Sequence, residues 1–158
     1  MQETPSSAEV SPSEAADIGI QLAPAPDGTY NVLSTFTDRQ GRSMLIRRGW
    51  SGGLGSGFGY TKVTTYHNLS LRAVQAVSRN YFSAVTSGTK RTYSATVNYV
   101  TCYYRLGVRY CKINTSIVVV MPVDFRYLSD GKSFGVVTAY CSGYYPRCPD
   151  WVKNAANA

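Results

Sequence analysis

The stretch Val100-Thr-Cys-Tyr-Tyr-Arg-Leu-Gly-Val-Arg-Tyr-Cys-Lys-Ile113 constrains the fold more than any other part of the chain. Leu106-Gly107 is a two-residue turn between β-prone runs, and it closes a hairpin on Arg105 and Val108. Facing residues then sum to 213, which sets Cys102 opposite Cys111. Alternation from the closing pair makes them a non-hydrogen-bonded pair, with Cα atoms about 4.5 Å apart and within disulfide reach. The other two cysteines, in Cys141-Ser-Gly-Tyr-Tyr-Pro-Arg-Cys148, bracket a Gly/Pro loop. Of the three pairings that four cysteines allow, this register favours Cys102–Cys111 with Cys141–Cys148. A zinc site fits poorly, because no Cys-x₂-Cys knuckle is present and the single histidine, His67, is remote in sequence. Disulfides imply an oxidising destination, so the chain is expected to be secreted.

Around this hairpin the pattern is α+β. A first hairpin is expected from Tyr30–Thr37, a turn through Asp38-Arg-Gln-Gly41, and Ser43–Arg48. The glycine-rich segment Gly49–Gly59 lacks the Gly-Lys-Ser/Thr of a phosphate loop and reads as a connector or lid. Tyr60–Tyr66 is rich in β-branched and aromatic residues and is expected to be extended, ending at His67. Asn68 or Ser70 can cap a short helix from Leu71 to about Asn80, with Leu71, Val74 and Val77 on one face. The remainder reads as strands at about Thr92–Tyr104, Val108–Pro122 and Phe134–Tyr140, with Asp130-Gly131 as the turn before the last. The expected architecture is an N-terminal hairpin and short helix packed on an antiparallel meander.

Charge divides the chain in two. From Arg42 onward, fifteen Lys and Arg face three carboxylates, Asp124, Asp130 and Asp150, a net of 15 − 3 = +12. Residues 1–26 are rich in Ser, Pro, Ala and Glu, with neither a basic start nor an apolar run, so they do not read as a signal peptide. They read as a disordered leader or linker, or as a seam to a larger carrier, preceding a single basic domain over residues 27–158. No stretch is apolar enough to span a membrane, and no amphipathic cationic helix favours a membrane-active peptide. So basic a domain calls for an anionic partner, with nucleic acid foremost.

Two segments carry the candidate chemistry. Gly57-Phe-Gly-Tyr-Thr-Lys-Val-Thr-Thr-Tyr-His67 brings Lys62 and His67 in ahead of the helix. Asp130-Gly-Lys-Ser-Phe-Gly-Val-Val-Thr-Ala-Tyr-Cys141 carries Thr138 and Tyr140 two apart, on one side of the expected strand. In these two motifs, and in the order of its elements over about residues 57–141, the chain resembles the barnase–EndoU–colicin–RelE group of small ribonuclease toxins. The resemblance implies a helical part bearing a His, an antiparallel sheet ending in a strand like Gly135–Tyr140, and RNA cleavage. The chain departs from the EndoU-type pattern in carrying one His rather than two.

Metal-free RNA cleavage needs a base for the 2′-OH, an acid for the leaving 5′-oxygen and cations for the phosphorane. His67 can serve as base or acid, Lys62 as the cation, and Thr138 and Tyr140 as donors to phosphate oxygens. Tyr140 can also be the second proton carrier. No paired carboxylate offers a Glu base, and Asp124, Asp130 and Asp150 are too scattered to form a Mg²⁺ cluster, so neither metal nor cofactor is expected. Arg105, Arg109, Lys112, Tyr144, Tyr145 and Arg147 are the candidate substrate-binding residues, because aromatic faces stack on unpaired bases while cations hold phosphates. The expected protein is a monomeric, secreted, metal-independent ribonuclease toxin cleaving by 2′-OH transesterification, with an acidic immunity protein as a further partner. The alternative is a non-catalytic basic β-rich module that binds nucleic acid, an anionic cell envelope or a protein.

Overall fold

The computed structural model describes residues 28–157; the leader expected over residues 1–26 lies outside them. The architecture is α+β, with every strand pairing antiparallel. β1 (Val32–Thr37) and β2 (Ser43–Arg47) form the first hairpin, with Thr37 opposite Ser43. Its turn is held by Asp38, whose Oδ1 accepts from the amides of Gln40 and Arg42, both at 2.9 Å. β3 (Trp50–Ser51) and β4 (Gly57–Phe58) make a miniature ribbon within the glycine-rich segment. The main sheet runs β5 (Ser83–Ser87), β6 (Lys90–Arg105), β7 (Val108–Tyr127) and β8 (Ser133–Val136), with β9 (Tyr140–Cys141) also paired to β7.

The β6–β7 register places Arg105 opposite Val108 and Cys102 opposite Cys111, as the turn dictates. Both disulfides form as expected. Cys102–Cys111 spans a Cα separation of 4.1 Å and Cys141–Cys148 one of 5.4 Å. Pro122 does not end β7. That strand continues to Tyr127, while the missing Pro N–H is tolerated next to an irregular stretch of its neighbour.

Two expectations about local structure are corrected. Tyr60–Tyr66 is helical, not extended: α1 (Gly59–Thr61) continues as a π-type turn over Lys62–Tyr66, closed by His67 N–H donating to the Lys62 carbonyl at 3.1 Å. Burial overrides β-propensity here, since Lys62 and Val63 are adjacent and both fully buried, which an alternating strand on a one-sided core cannot provide. The Thr64 hydroxyl donates back to the Tyr60 carbonyl at 2.9 Å, a local bond that suits it to this turn. Phe134–Tyr140 is likewise not one strand. Residues 137–139 form no ladder between β8 and β9, and the pairing with β7 slips by one residue across them. The break has a use, because the Val137 carbonyl is left to accept from Gly59 N–H at 2.8 Å and so anchors the start of α1.

α2 (Leu71–Asn80) begins at Ser70, whose Oγ accepts from Ala73 N–H at 3.1 Å. It buries Ala73, Val74 and Val77 against the sheet residues Tyr93, Ala95 and Val119. A C-terminal helix, α3 (Asp150–Asn157), packs beside it on β6 through the buried Val152. Burial of each such aliphatic side chain contributes about 1.5–3 kcal/mol. A smaller cluster of Phe58, Leu128, Phe134 and Val137 fills the space beneath the glycine-rich ribbon.

The hairpin β1–β2 is joined to the sheet through β2 and β8. Arg47, fully buried, donates from Nη1 to Asp130 Oδ2 at 2.7 Å and to the Tyr30 carbonyl at 2.6 Å, and from Nη2 to Asp130 Oδ1 at 3.1 Å. These bonds hold the Asp130 carboxyl below the usual carboxylate range. At Gly135, with φ +94°, a Cβ would fall onto the Leu45 backbone carbonyl. Gly135→Ala therefore forces both a left-handed backbone and the separation of β2 from β8, and should destabilise by at least about 2 kcal/mol. Urea unfolding measures this, and an unchanged midpoint would show that the two strands do not meet here.

Candidate active site

α1 and its π-type turn deliver Lys62 and His67 to the same buried region. His67 is bound twice to the loop that Cys141–Cys148 closes. Its carbonyl accepts from Cys148 N–H at 3.0 Å, and its Nδ1 lies 2.7 Å from the Pro146 carbonyl oxygen. A carbonyl only accepts, so Nδ1 carries the proton. In the neutral ring, Nε2 is then the atom with the free lone pair. Nε2 is buried with no hydrogen-bond partner, and so is Thr138 Oγ1.

Aromatic rings enclose the imidazole. Tyr66, Tyr145 and Tyr140 have ring centroids 4.9, 5.5 and 5.9 Å from it. Lys62 is fully buried, and its Nζ donates to the Gly55 carbonyl at 2.7 Å. The glycine-rich ribbon thus folds over the site, and only Gly fits at residue 55. Its φ is +80°, and a Cβ there would lie 2.6 Å from the Tyr145 hydroxyl. Asn68 ties the opposite side, donating to the Cys148 carbonyl at 2.9 Å and to Asp150 Oδ1 at 2.8 Å, where α3 begins.

Of the candidate catalytic residues, His67, Lys62 and Tyr140 therefore lie together. Tyr140 pairs with Val120 on β7, and Thr138 sits fully buried two residues before it, in the irregular stretch rather than on a strand. The candidate binding residues divide. Tyr145 flanks His67; Tyr144 and Arg147 share its loop, with Arg147 Nη1 donating to the Thr65 carbonyl at 3.1 Å. Arg105, Arg109 and Lys112 stand on the outer part of the β6–β7 hairpin. Arg109 is eleven residues along β7 from Val120, the partner of Tyr140, which at ~3.4 Å per residue is about 35–40 Å.

Gly55, Tyr66, Asn68 and Pro146 shape the site without standing out in the sequence as site residues, Asn68 being expected there only as an alternative cap for α2. Pro146 and Tyr66 were within reach of such reasoning, one inside the Cys141–Cys148 loop and the other next to His67. Nothing in the pattern marks Gly55 among its neighbouring glycines. Among the described residues, no three His, Cys, Asp or Glu side chains gather as a metal site, and no described helix is long and apolar enough to cross a membrane. Comparison with family models, curated proteins and solved structures finds no match.

Burial lowers the His67 pKa to about 4, against the upward pull of the Pro146 carbonyl, and the positive charge of Lys62 lowers it further. The ring is therefore neutral at pH 7. Between the ordinary value of 6.5 and about 4, the unfolded chain takes up a proton that the fold refuses, so stability falls as pH falls through that window. The loss should reach about 3 kcal/mol by pH 4, at ~1.4 kcal/mol per unit. Urea unfolding across this range should show that slope in the wild type and a flatter one in His67→Asn. Equal slopes would place the titration elsewhere.

Proposed function

We propose that this protein is a secreted, metal-independent ribonuclease of toxin type, cleaving RNA by transesterification at the His67 site. The observation that carries the reading is the state of His67: Nδ1 is fixed on a carbonyl and Nε2 is left as a bare base, beside Lys62 and Tyr140. In the reaction, Nε2 takes the 2′-OH proton while O2′ forms a bond to phosphorus. The P–O5′ bond breaks, and the leaving oxygen takes a proton from the Tyr140 hydroxyl. The products are a 2′,3′-cyclic phosphate and a 5′-OH. Lys62 stabilises charge on the phosphorane, and the Thr138 hydroxyl, otherwise without a partner, donates to a non-bridging oxygen.

A pKa near 4 leaves His67 correctly deprotonated at neutral pH but weakly basic. An RNA phosphate beside the ring raises that basicity, because a nearby negative charge favours the imidazolium. Since His67 and Lys62 are fully buried, RNA reaches them only when Tyr145 and the Gly53–Gly55 turn move aside. The same burial favours the second reading, a non-catalytic basic module in which His67 is a structural tie. Two disulfides fit an oxidising, extracellular destination, and the basic surface fits an acidic immunity protein as partner.

The test is cleavage of total RNA by wild type and variants in the presence of EDTA. Wild type should cut, and His67→Ala should lose ~10²–10⁴-fold in rate. Thr138→Ala and Tyr140→Phe should lower the rate while retaining RNA affinity, since both act on the transition state. Full cleavage by His67→Ala, or cleavage abolished by EDTA, would make the mechanism wrong.

A further inference from the structure

The outer part of the β6–β7 hairpin leaves the body of the protein as a two-stranded ribbon, exposed on both faces from Tyr99 to Thr115. Its register and alternation place Thr101, Tyr103 and Arg105 on one face with Val108, Tyr110 and Lys112. On this face Tyr103 and Tyr110 stack on each other, with ring centroids 5.5 Å apart and planes 21° from parallel. Each ring is about half exposed, at 51% and 45%. Arg105 lies at one end of the ring pair and Lys112 at the other. Between Asp38 and Asp124 the chain has no carboxylate at all, so the ribbon has none of its own to neutralise these cations.

A bare two-stranded ribbon is marginal in water. Here Cys102–Cys111 cross-links it, and at its foot Tyr99 stacks on Trp151 of α3, with centroids 5.3 Å apart. The ribbon is thus held rigid and needs no partner to order it, which lowers the entropic cost of binding one.

We infer that this face is a single-stranded RNA-binding arm, separate from the His67 site. Flat aromatic rings with a cation at either end suit unpaired bases stacked on tyrosine and phosphates held by Arg and Lys. The centre of a protein interface is depleted in Lys and in unpaired charge, whereas this face carries Arg105 and Lys112 with no carboxylate of the ribbon beside them. The choice of RNA over another polyanion rests on the ribonuclease reading. The arm adds to that reading a substrate class: RNA strands long enough to lie on the ribbon as well as to enter a site about 25–40 Å away along β7.

The experiment measures fluorescence anisotropy of a labelled 2′-O-methyl oligouridylate of about 12 nucleotides, within the span of single-strand sites. This probe cannot be cut through its 2′ oxygen, and the protein is the full chain. Tyr103→Ala/Tyr110→Ala should weaken binding at least tenfold, whereas Tyr103→Phe/Tyr110→Phe should stay within about twofold, because stacking needs the ring and not the hydroxyl. Arg105→Gln/Lys112→Gln should weaken binding at low salt and reduce the log–log salt slope by ~1.4, at ~0.7 per phosphate contact. Undiminished binding by the Tyr→Ala and Arg/Lys→Gln variants overturns the arm. So does a wild type that ignores the oligomer but binds polyglutamate, which assigns the face to an acidic protein. A wild type that binds through the arm yet cleaves no unmodified RNA sinks the ribonuclease reading and leaves the arm standing.

Discussion

The candidate site depends on a double tie between His67 and one short loop. The His67 carbonyl is held by Cys148 N–H, and its ring nitrogen by the Pro146 carbonyl. The loop is fixed in turn by Cys141–Cys148 to β9, and β9 is paired to the centre of β7. The helical turn carrying Lys62 and His67 is thereby set against the strand end carrying Tyr140, although more than seventy residues separate them in the chain. Asn68 extends the tie to Asp150, so that α3 and the site share one set of bonds.

The same arrangement sets the chemistry. Drawing His67 fully inside depresses its basicity and keeps it neutral, while the Pro146 carbonyl decides which nitrogen is available. Tyr145 and the turn at Gly55 cover it. Positive charge is arranged oppositely: Lys62 is inside, whereas Arg105, Arg109 and Lys112 project into solvent at the far end of β6 and β7. The proposed RNA-binding arm and the candidate chemistry are therefore spatially separate, joined by one long antiparallel ladder.

Where local covalent rules act, the sequence was legible. The Leu106-Gly107 turn set the register that pairs Cys102 with Cys111, Ser70 capped α2, and Asp38 organised its turn. Tyr60–Tyr66 departs from its local signal because Thr64, Thr65 and Tyr66 favour strands, whereas burial of the adjacent Lys62 and Val63 demands a helical turn. Phe134–Tyr140 breaks as a strand because the bond from Gly59 N–H to the Val137 carbonyl is tertiary, invisible in periodicity. α3 has little local signal beyond Asp150 after Pro149, and its packing on β6 stabilises it. The 5.9 Å between the His67 and Tyr140 rings is a tertiary contact with no local signature, while the distance of Arg105, Arg109 and Lys112 from them follows from their place beside the Leu106-Gly107 turn, with Tyr140 paired near the middle of β7.

The most direct measurement of the central claim is the chemistry of the ends that the full-length protein leaves on RNA in EDTA, read by mass spectrometry of the fragments. A 2′-OH attack assisted by His67 predicts 2′,3′-cyclic phosphate termini on one fragment and 5′-hydroxyl termini on the other. Fragments ending in 3′-hydroxyl and 5′-phosphate, or intact RNA, would contradict it.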